Sequence, residues 1–209
     1  MDAATYKSDE GPVVTSLSAL RAAENECRRC PLYKYATQAV PGQGLRRAAM
    51  MLVGEQPGDQ EDKAGLPFVG PAGRVLDRAL AEAGIDRKRV FVTNAVKHFK
   101  FEMRGKRRLH KRPNAYEIDR CRWWLDLERA IVKPSVIVAL GATAARSVLG
   151  RPTTIGTVRG QSLPLDDGAT AFITVHPSAL LRIKDEADKR QQYRSFVDDL
   201  RLASQAVKA

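Results

Sequence analysis

The chain has 209 residues, which is enough for one well-packed domain and too few for two of ordinary size. Its hydrophobic share of 44% predicts a packed soluble domain, and three cysteines are too sparse for a disulfide framework. The net charge of +11 indicates nucleic acid or another anionic surface as the partner.

The amino-terminal segment carries no targeting signal that we can identify. Residues 1–16 are mixed polar and lack an apolar stretch, so we expect a flexible lead-in before a single domain over residues 17–209. No run approaches the roughly 18 apolar residues that a membrane span requires. The sequence therefore predicts a cytoplasmic protein without membrane contact, and a reducing compartment agrees with the few cysteines.

The predicted elements alternate between strands and helices. Pro71 suits the first turn of one helix, and Asn114 can cap another that ends before Pro134. In chain order we predict a first helix before Cys27, then a strand at 48–53, a helix at 71–84, a strand at 90–93, a helix at 115–132, a strand at 136–140, a short helix to 149, a strand at 171–175 and a helix at 185–206. This alternation predicts an α/β fold, a three-layer α/β/α domain with a central four-stranded parallel sheet.

Polar or glycine-rich residues follow all four predicted strands. They include the carboxylate Glu55, the amides Gln56 and Asn94, and the imidazole His176, while Gly141 to Thr143 follow the third strand. Because ligands bind outside the carboxyl ends of the strands in such sheets, these groups should meet at one edge. We interpret this convergence as an active site rather than a set of ordinary turns.

Residues 97–112 form the most basic segment, with eight Lys or Arg against one Glu and two of the three histidines. A charged segment is often only a solvated face. A solvated face does not need His98 and His110, however, and a loop this basic concentrates its field on an approaching polyanion.

The three cysteines suggest a metal site. Cys27 and Cys30 form a CxxC pair outside the strand–helix context of a redox motif, and Cys121 lies on the helix after the basic segment. With His98 as a fourth ligand, the set suits tetrahedral zinc or an iron–sulfur cluster, and the spacing leaves both open. Alternatively, the CxxC is accidental and Cys121 is a small core residue.

Four motifs together resemble the signature of the uracil-DNA glycosylase superfamily. They are GEQPG at 54–58, LPFVG at 66–70, Thr93–Asn94, and HPSALL at 176–181, within a resemblance that runs from about residue 24 to residue 200. The cysteines resemble those of its iron–sulfur branch, family 4. His98 stands where that family carries a cysteine, and residues 106–113 (KRRLHKRP) are similar to the loop of the X-type subgroup (UdgX). That subgroup becomes covalently attached to DNA, at the site of the excised uracil, through the loop histidine.

The resemblance implies a cofactor and a partner. The cofactor is a 4Fe–4S cluster held by Cys27, Cys30, His98 and Cys121. The partner is uracil-containing DNA, single- or double-stranded, and we expect a monomer that acts at the bacterial nucleoid.

The resemblance also implies roles at the strand ends. His110 would be the nucleophile, Glu55 would orient it or take its proton, and His176 would stabilise the leaving uracil anion. Phe68 would stack on the base and Asn94 would read its O4/N3 edge. Gln56, Gly58 and Asp59 would support the substrate pocket, and the DNA contacts would come from Lys106, Arg107, Arg108, Lys111 and Ser178.

Two alternatives stay open at this point. One is a glycosylase that turns over and keeps a basic loop for phosphate contacts alone. The other is a metal-bearing binding module without excision, such as a nucleotide or RNA binder.

Overall fold

The computed structural model describes residues 14–207, so most of the predicted lead-in lies outside the described residues. Within this range no helix is both long enough and apolar enough to cross a membrane. The helices and strands, in chain order, are α1 (Leu17–Asn25), β1 (Met50–Gly54), α2 (Asp59–Ala64), α3 (Pro71–Glu82), β2 (Phe91–Asn94), β3 (Phe101–Arg104), β4 (Arg107–His110), α4 (Ala115–Val132), β5 (Val136–Leu140), α5 (Ala142–Leu149), α6 (Ile155–Val158), β6 (Ser162–Pro164), β7 (Thr170–Thr174), α7 (Pro177–Leu180) and α8 (Glu186–Gln205).

The central sheet has the strand order β2-β1-β5-β7-β6. The pairs among β2, β1, β5 and β7 are parallel, which confirms the predicted α/β fold with its central parallel sheet. The sheet has five strands rather than the expected four, because β6 pairs antiparallel with β7 at the edge. That strand is three residues long and ends at Pro164, a residue that is tolerated only at sheet edges and weakens any strand pattern.

Both faces of the sheet are covered. Along β1, Met50 and Leu52 pack into one hydrophobic core with α3 and α8, while Met51 and Val53 pack into a second core with α4 and α5. This double burial explains why the strand is a continuous apolar run rather than an alternating one. A third, smaller cluster joins α1 to α4 and contains the three cysteines.

The basic segment, predicted as a loop, contains a two-stranded antiparallel hairpin formed by β3 and β4. Arg104 pairs with Arg107, so the turn consists of Gly105 and Lys106, and Gly105 has a φ of +59°. Two-residue hairpin turns require this left-handed conformation at the first position, which glycine adopts without strain. The carboxyl end of β4 places His110 opposite Phe101.

A buried ion network lies beneath β2. The Nζ of Lys97 is 2.7 Å from Glu128 Oε2, and it donates hydrogen bonds to Thr93 Oγ1 at 2.6 Å and to the Asn94 carbonyl at 3.0 Å. Glu24 Oε1 lies 3.9 Å away, and burial raises the pKa of Glu24 to about 8. The network therefore joins α1 and α4 to the strand end that carries Asn94.

Replacing Lys97 with Met should destabilise the protein strongly, because it leaves the buried Glu128 carboxylate without its counter-charge. We expect a loss of about 3–5 kcal/mol in the free energy of unfolding, measured by urea denaturation. Lys189→Met is the matched control: its pair with Glu186 is solvent-exposed, so the loss should stay below about 1 kcal/mol. Equal losses in the two variants would contradict the stabilising role of the network.

Candidate functional site

A cavity of about 540 Å³ opens at the carboxyl edge of the sheet. Its walls come from the ends of β1, β2 and β4, from α2, from the loop before α3, and from α7. The predicted catalytic and substrate-binding residues all line it, together with Ser178: Glu55, Gln56, Gly58, Asp59, Phe68, Asn94, His110 and His176. The structure thus brings together residues that lie far apart in the chain, from Glu55 to Ser178.

The part of the cavity wall formed by Asn94 and Phe68 requires glycine at position 54. Gly54 pairs with Asn94 across β1 and β2, and a Cβ at Gly54 would overlap both the Asn94 side-chain oxygen and the Phe68 ring. Phe68 itself has a φ of +58°, a left-handed conformation that is unfavourable for a bulky residue. Gly73 of α3 packs directly on the Phe68 backbone, where any side chain would collide. This packing holds Phe68 in its strained conformation.

The Asn94 side chain is buried at the cavity wall. Among residues 14–207, no group hydrogen-bonds its amide, although a buried amide normally finds partners. Its carbonyl and its NH₂ are therefore both available to a ligand. The ring of Phe68 lies nearby, with its centroid 6.0 Å from that of His176.

His176 is held as a neutral hydrogen-bond donor. Its Nδ1 accepts a hydrogen bond from the Ser178 backbone N–H at 3.2 Å, so the proton of the neutral ring lies on Nε2. Burial lowers the pKa of His176 to about 4, which keeps the ring uncharged at neutral pH. The Ser178 hydroxyl, predicted to contact DNA, lies 2.9 Å from the same Nδ1.

The Glu55 carboxylate lines the cavity and makes polar contacts with His110 and Thr143. Its Oε1 is 3.3 Å from His110 Nε2, and its Oε2 accepts a hydrogen bond from Thr143 Oγ1 at 2.7 Å. Although burial opposes ionisation, the hydrogen bonds from His110 and Thr143 lower the pKa of Glu55. The carboxylate is therefore charged at neutral pH, and Arg112 Nε lies 3.9 Å from it. Thr143 was missed as a site residue, although it follows the third predicted strand end directly.

Gln56 holds the root of the hairpin rather than offering its amide to the cavity. Its Nε2 donates to the carbonyls of Lys100 and Lys111, both at 3.1 Å, and its Oε1 accepts from the Lys100 N–H at 3.1 Å. The whole side-chain amide is engaged in these bonds. Gln56 therefore supports the cavity indirectly. Its side chain joins the end of β1 to the residues that flank the two hairpin strands.

Arg108 occupies a different place from the one predicted. Its Nε is 2.6 Å from Asp59 Oδ1 and its Nη1 is 2.6 Å from Asp62 Oδ2, so the guanidinium is turned onto α2. It also lies over the Phe101 ring, 5.1 Å from the centroid. With its charge satisfied internally, Arg108 is poorly placed for the predicted phosphate contact. Asp59 likewise serves as an anchor of the hairpin.

The other predicted DNA-contacting cations face solvent. Lys106 and Arg107 are exposed at the turn end of the hairpin, and Lys111 is exposed at its root, 3.7 Å from Glu102. Exposed ion pairs of this kind are weak and exchange readily for phosphate. The exposed cations of the hairpin thus face solvent, while Arg108 binds the hairpin to α2.

The predicted metal ligands are all buried. Cys27, Cys30 and Cys121 lie in one cluster, where Cys27 Sγ accepts a hydrogen bond from the Trp124 indole N–H at 3.1 Å. Cys121 Sγ accepts from the Lys97 backbone N–H at 3.2 Å. Among the described residues, however, no three His, Cys, Asp or Glu side chains converge in a geometry that could hold a metal ion. His98, the remaining predicted ligand, is buried immediately after Lys97.

The depressed pKa of His176 predicts a pH dependence of stability. Between its folded pKa of about 4 and its ordinary value of 6.5, the unfolded chain binds the proton more readily than the folded one. The contribution of His176 to the free energy of unfolding should therefore fall as the pH drops from about 6.5 to about 4. His176→Asn should flatten this dependence in urea titrations at successive pH values. An unchanged slope in the variant would contradict a neutral, buried His176.

Comparison with known proteins gives a consistent result. A model of the uracil DNA glycosylase superfamily matches residues 41–201. The chain is 39% identical over 163 residues to a type-4 uracil-DNA glycosylase of Pyrobaculum aerophilum, covering 75% of this chain and 80% of the relative. It is 35% identical over 184 residues to a type-4 uracil-DNA glycosylase of Thermotoga maritima, covering 88% and 90% respectively.

Proposed function

Because the chain belongs to the uracil-DNA glycosylase superfamily, we propose that it excises uracil from DNA and then becomes covalently linked to C1′ of the abasic site through His110. Family membership supports the excision step. The linkage rests on one observation: the His110 imidazole lies 3.3 Å from Glu55 in the cavity that also contains Asn94, Phe68 and His176. This arrangement supports the proposed assignment to the X-type subgroup.

In this proposal the side-chain amide of Asn94, which has no hydrogen-bond partner among residues 14–207, recognises the base. A uracil turned out of the DNA stack would lie against Phe68, and the unstacking would cost a few kcal/mol. The Asn94 NH₂ would donate to uracil O4 while its carbonyl accepts from N3–H. Cytosine presents the opposite donor and acceptor at these two positions, so the same amide orientation would reject it.

Bond cleavage develops negative charge on the base and positive charge on the sugar. The electron pair of the C1′–N1 bond leaves with uracil, and the Nε2–H of neutral His176 would donate to O2 of that anion. The ionised Glu55 would stabilise the cation at C1′. A charged imidazolium at position 176 is not needed, since a fixed neutral donor in a dry cavity is already effective.

The group that attacks the sugar cation determines whether the protein stays attached to DNA or acts as an ordinary hydrolase. A ring nitrogen of His110 would use its lone pair to form the new bond to C1′, and the imidazole proton would pass to Glu55. Imidazole attached to carbon leaves slowly, so each molecule would react once. If water reaches C1′ first, the same cavity supports a glycosylase that turns over, which is the second candidate function.

The exposed cations of the hairpin account for DNA binding without sequence preference. Lys106, Arg107 and Lys111 would contact phosphates, and such contacts supply affinity that weakens with salt. We also propose that the protein acts as a monomer at the nucleoid, because its DNA substrate is located there.

For the cofactor, we propose a 4Fe–4S cluster held by Cys27, Cys30, His98 and Cys121. The chemistry of the donor set, rather than its geometry, supports this proposal: three buried sulfur atoms, two of them accepting N–H hydrogen bonds of the kind that tune cluster thiolates. When bound, the cluster would fasten α1 and α4 to the segment that leads into the hairpin, a structural role. Zinc is the competing occupant of such a site.

Replacing Cys121 with Ala should remove the cluster. We expect iron content and the broad absorbance near about 400 nm to be lost together, with a lower unfolding temperature. Trp124→Phe removes a hydrogen bond to Cys27 but no ligand, so it should keep its iron. Stoichiometric zinc in anaerobically purified wild-type protein would contradict the assignment.

Replacing Asn94 with Ala should weaken recognition of uracil by about 1–3 kcal/mol, the usual cost of losing a two-point base contact. Binding to undamaged DNA of the same length should barely change, because phosphate contacts come from the hairpin. Competition binding with uracil-DNA and thymine-DNA separates the two effects. An equal loss on both would mean that Asn94 acts in the fold.

Replacing His110 with Ala should abolish the covalent adduct on denaturing gels and restore turnover, because water can enter the vacated space. Free uracil and abasic DNA should then accumulate beyond one equivalent. Lys106→Ala is the control: it should keep the adduct and reduce the salt dependence of binding by about one phosphate contact. An adduct that persists in His110→Ala would sink the assignment of the nucleophile.

A further inference from the structure

A second, smaller cavity of about 190 Å³ lies beside the root of the hairpin. One wall is Tyr35, which follows a 3₁₀ turn at Pro31–Lys34 and has an exposed fraction of 71%. Phe99, which is buried, and Phe101 also line it, and their ring centroids are 5.2 Å apart. We refer to this cavity as the Tyr35 groove.

The Tyr35 groove and the large cavity share a wall. Phe101 lines the groove and pairs across the hairpin with His110, which lines the large cavity. Lys111 lines the groove and is the next residue after His110. Gln56 lines the large cavity and donates hydrogen bonds to the backbone carbonyls of Lys100 and Lys111. Only the root of the hairpin therefore separates the two sites.

The charge of the groove favours an anionic ligand. Lys111 lines the groove and is exposed, and Lys34, which precedes Tyr35 in the chain, is exposed as well. Its one acid, Glu117, is already engaged: Oε2 lies 2.7 Å from Lys100 Nζ and accepts the Asn114 backbone N–H at 2.7 Å. The groove consequently combines aromatic rings with the exposed cation Lys111, whose pair with Glu102 is solvent-exposed and weak.

Tyr35 is not explained by folding. With most of its ring in water it buries little area, and within residues 14–207 no partner hydrogen-bonds its hydroxyl. Phe101, by contrast, is fixed by stacking with Arg108, whose guanidinium is 5.1 Å from the ring centroid. An exposed ring that lines the same groove as a fixed aromatic ring suits a planar ligand.

We propose that the Tyr35 groove binds an unpaired nucleobase on the same DNA strand as the uridine in the large cavity. The base stacks on Tyr35, and Lys111 contacts an adjacent phosphate. Aromatic stacking beside a basic track is how proteins hold single strands without sequence preference. The inference rests on the proposed function and specifies its substrate class: single-stranded DNA, since a base paired in a duplex is not free to enter the groove.

The test compares two single-stranded oligonucleotides of equal length that carry the same number of phosphates. One is oligothymidine, and the other is built of stable abasic residues. Fluorescence anisotropy gives the affinity of the full-length protein and of three variants: Tyr35→Ala, Tyr35→Phe and Leu45→Ala. Leu45 is the matched control, 53% exposed and located before β1, away from the carboxyl edge of the sheet.

We expect Tyr35→Ala to weaken binding of oligothymidine about tenfold, and to leave binding of the abasic strand unchanged. Tyr35→Phe and Leu45→Ala should bind both strands as the wild type does, and the salt dependence should not change in any variant. Because Tyr35 is exposed, its variants should unfold at the wild-type temperature.

Two outcomes would overturn the inference: no loss for oligothymidine in Tyr35→Ala, or an equal loss for both strands. Neither oligonucleotide contains uracil, so the result is independent of excision. Uracil release and adduct formation by the wild-type protein test the proposed function separately.

Discussion

The site depends on how the β3–β4 hairpin is fastened against the end of β1. A two-stranded hairpin is marginal in water by itself, and this one carries cations that repel one another. Gln56 braces both strands through their backbones, and Arg108 reaches the carboxylates of Asp59 and Asp62. These contacts hold His110 beside Glu55 before any substrate arrives. Positioning of this kind removes an entropic cost from the reaction itself.

The hairpin and the cavity differ in the charges that they present. The outward cations of the hairpin raise the local concentration of a polyanion through a field that salt screens within about 10 Å. Inside the cavity, Glu55 is ionised and accepts a hydrogen bond from Thr143, while burial keeps His176 neutral. In the proposed mechanism, the hairpin cations attract DNA and Glu55 stabilises the sugar cation, so separate groups carry the two tasks. Lys97 donates to the backbone carbonyl of Asn94, and within residues 14–207 nothing hydrogen-bonds its side-chain amide.

The sequence was informative where burial dictates the pattern. The buried run at β5 and the capped, proline-terminated helix α4 were predicted at their observed bounds. The residues at the strand ends were expected at one edge because parallel topology requires it. The hairpin was missed because its strands are only four residues long and bury little, so the alternation of Phe101 to Arg104 is lost within a run of cations. The inward turn of Arg108 was also missed, since nothing in a run of cations reveals which one meets an acid 46 positions away. Convergence of the cysteines and His98 on a metal stays a prediction.

The most direct test of the account is to locate the bond between protein and DNA. Wild-type protein mixed with a uracil-containing oligonucleotide is denatured and digested with protease and nuclease, and the modified peptide is sequenced by tandem mass spectrometry. The account predicts a deoxyribose-derived mass on His110 and no modified peptide when thymine replaces uracil. A modification on Lys106 or Lys111 instead, or complete release of uracil without any modified peptide, would contradict it.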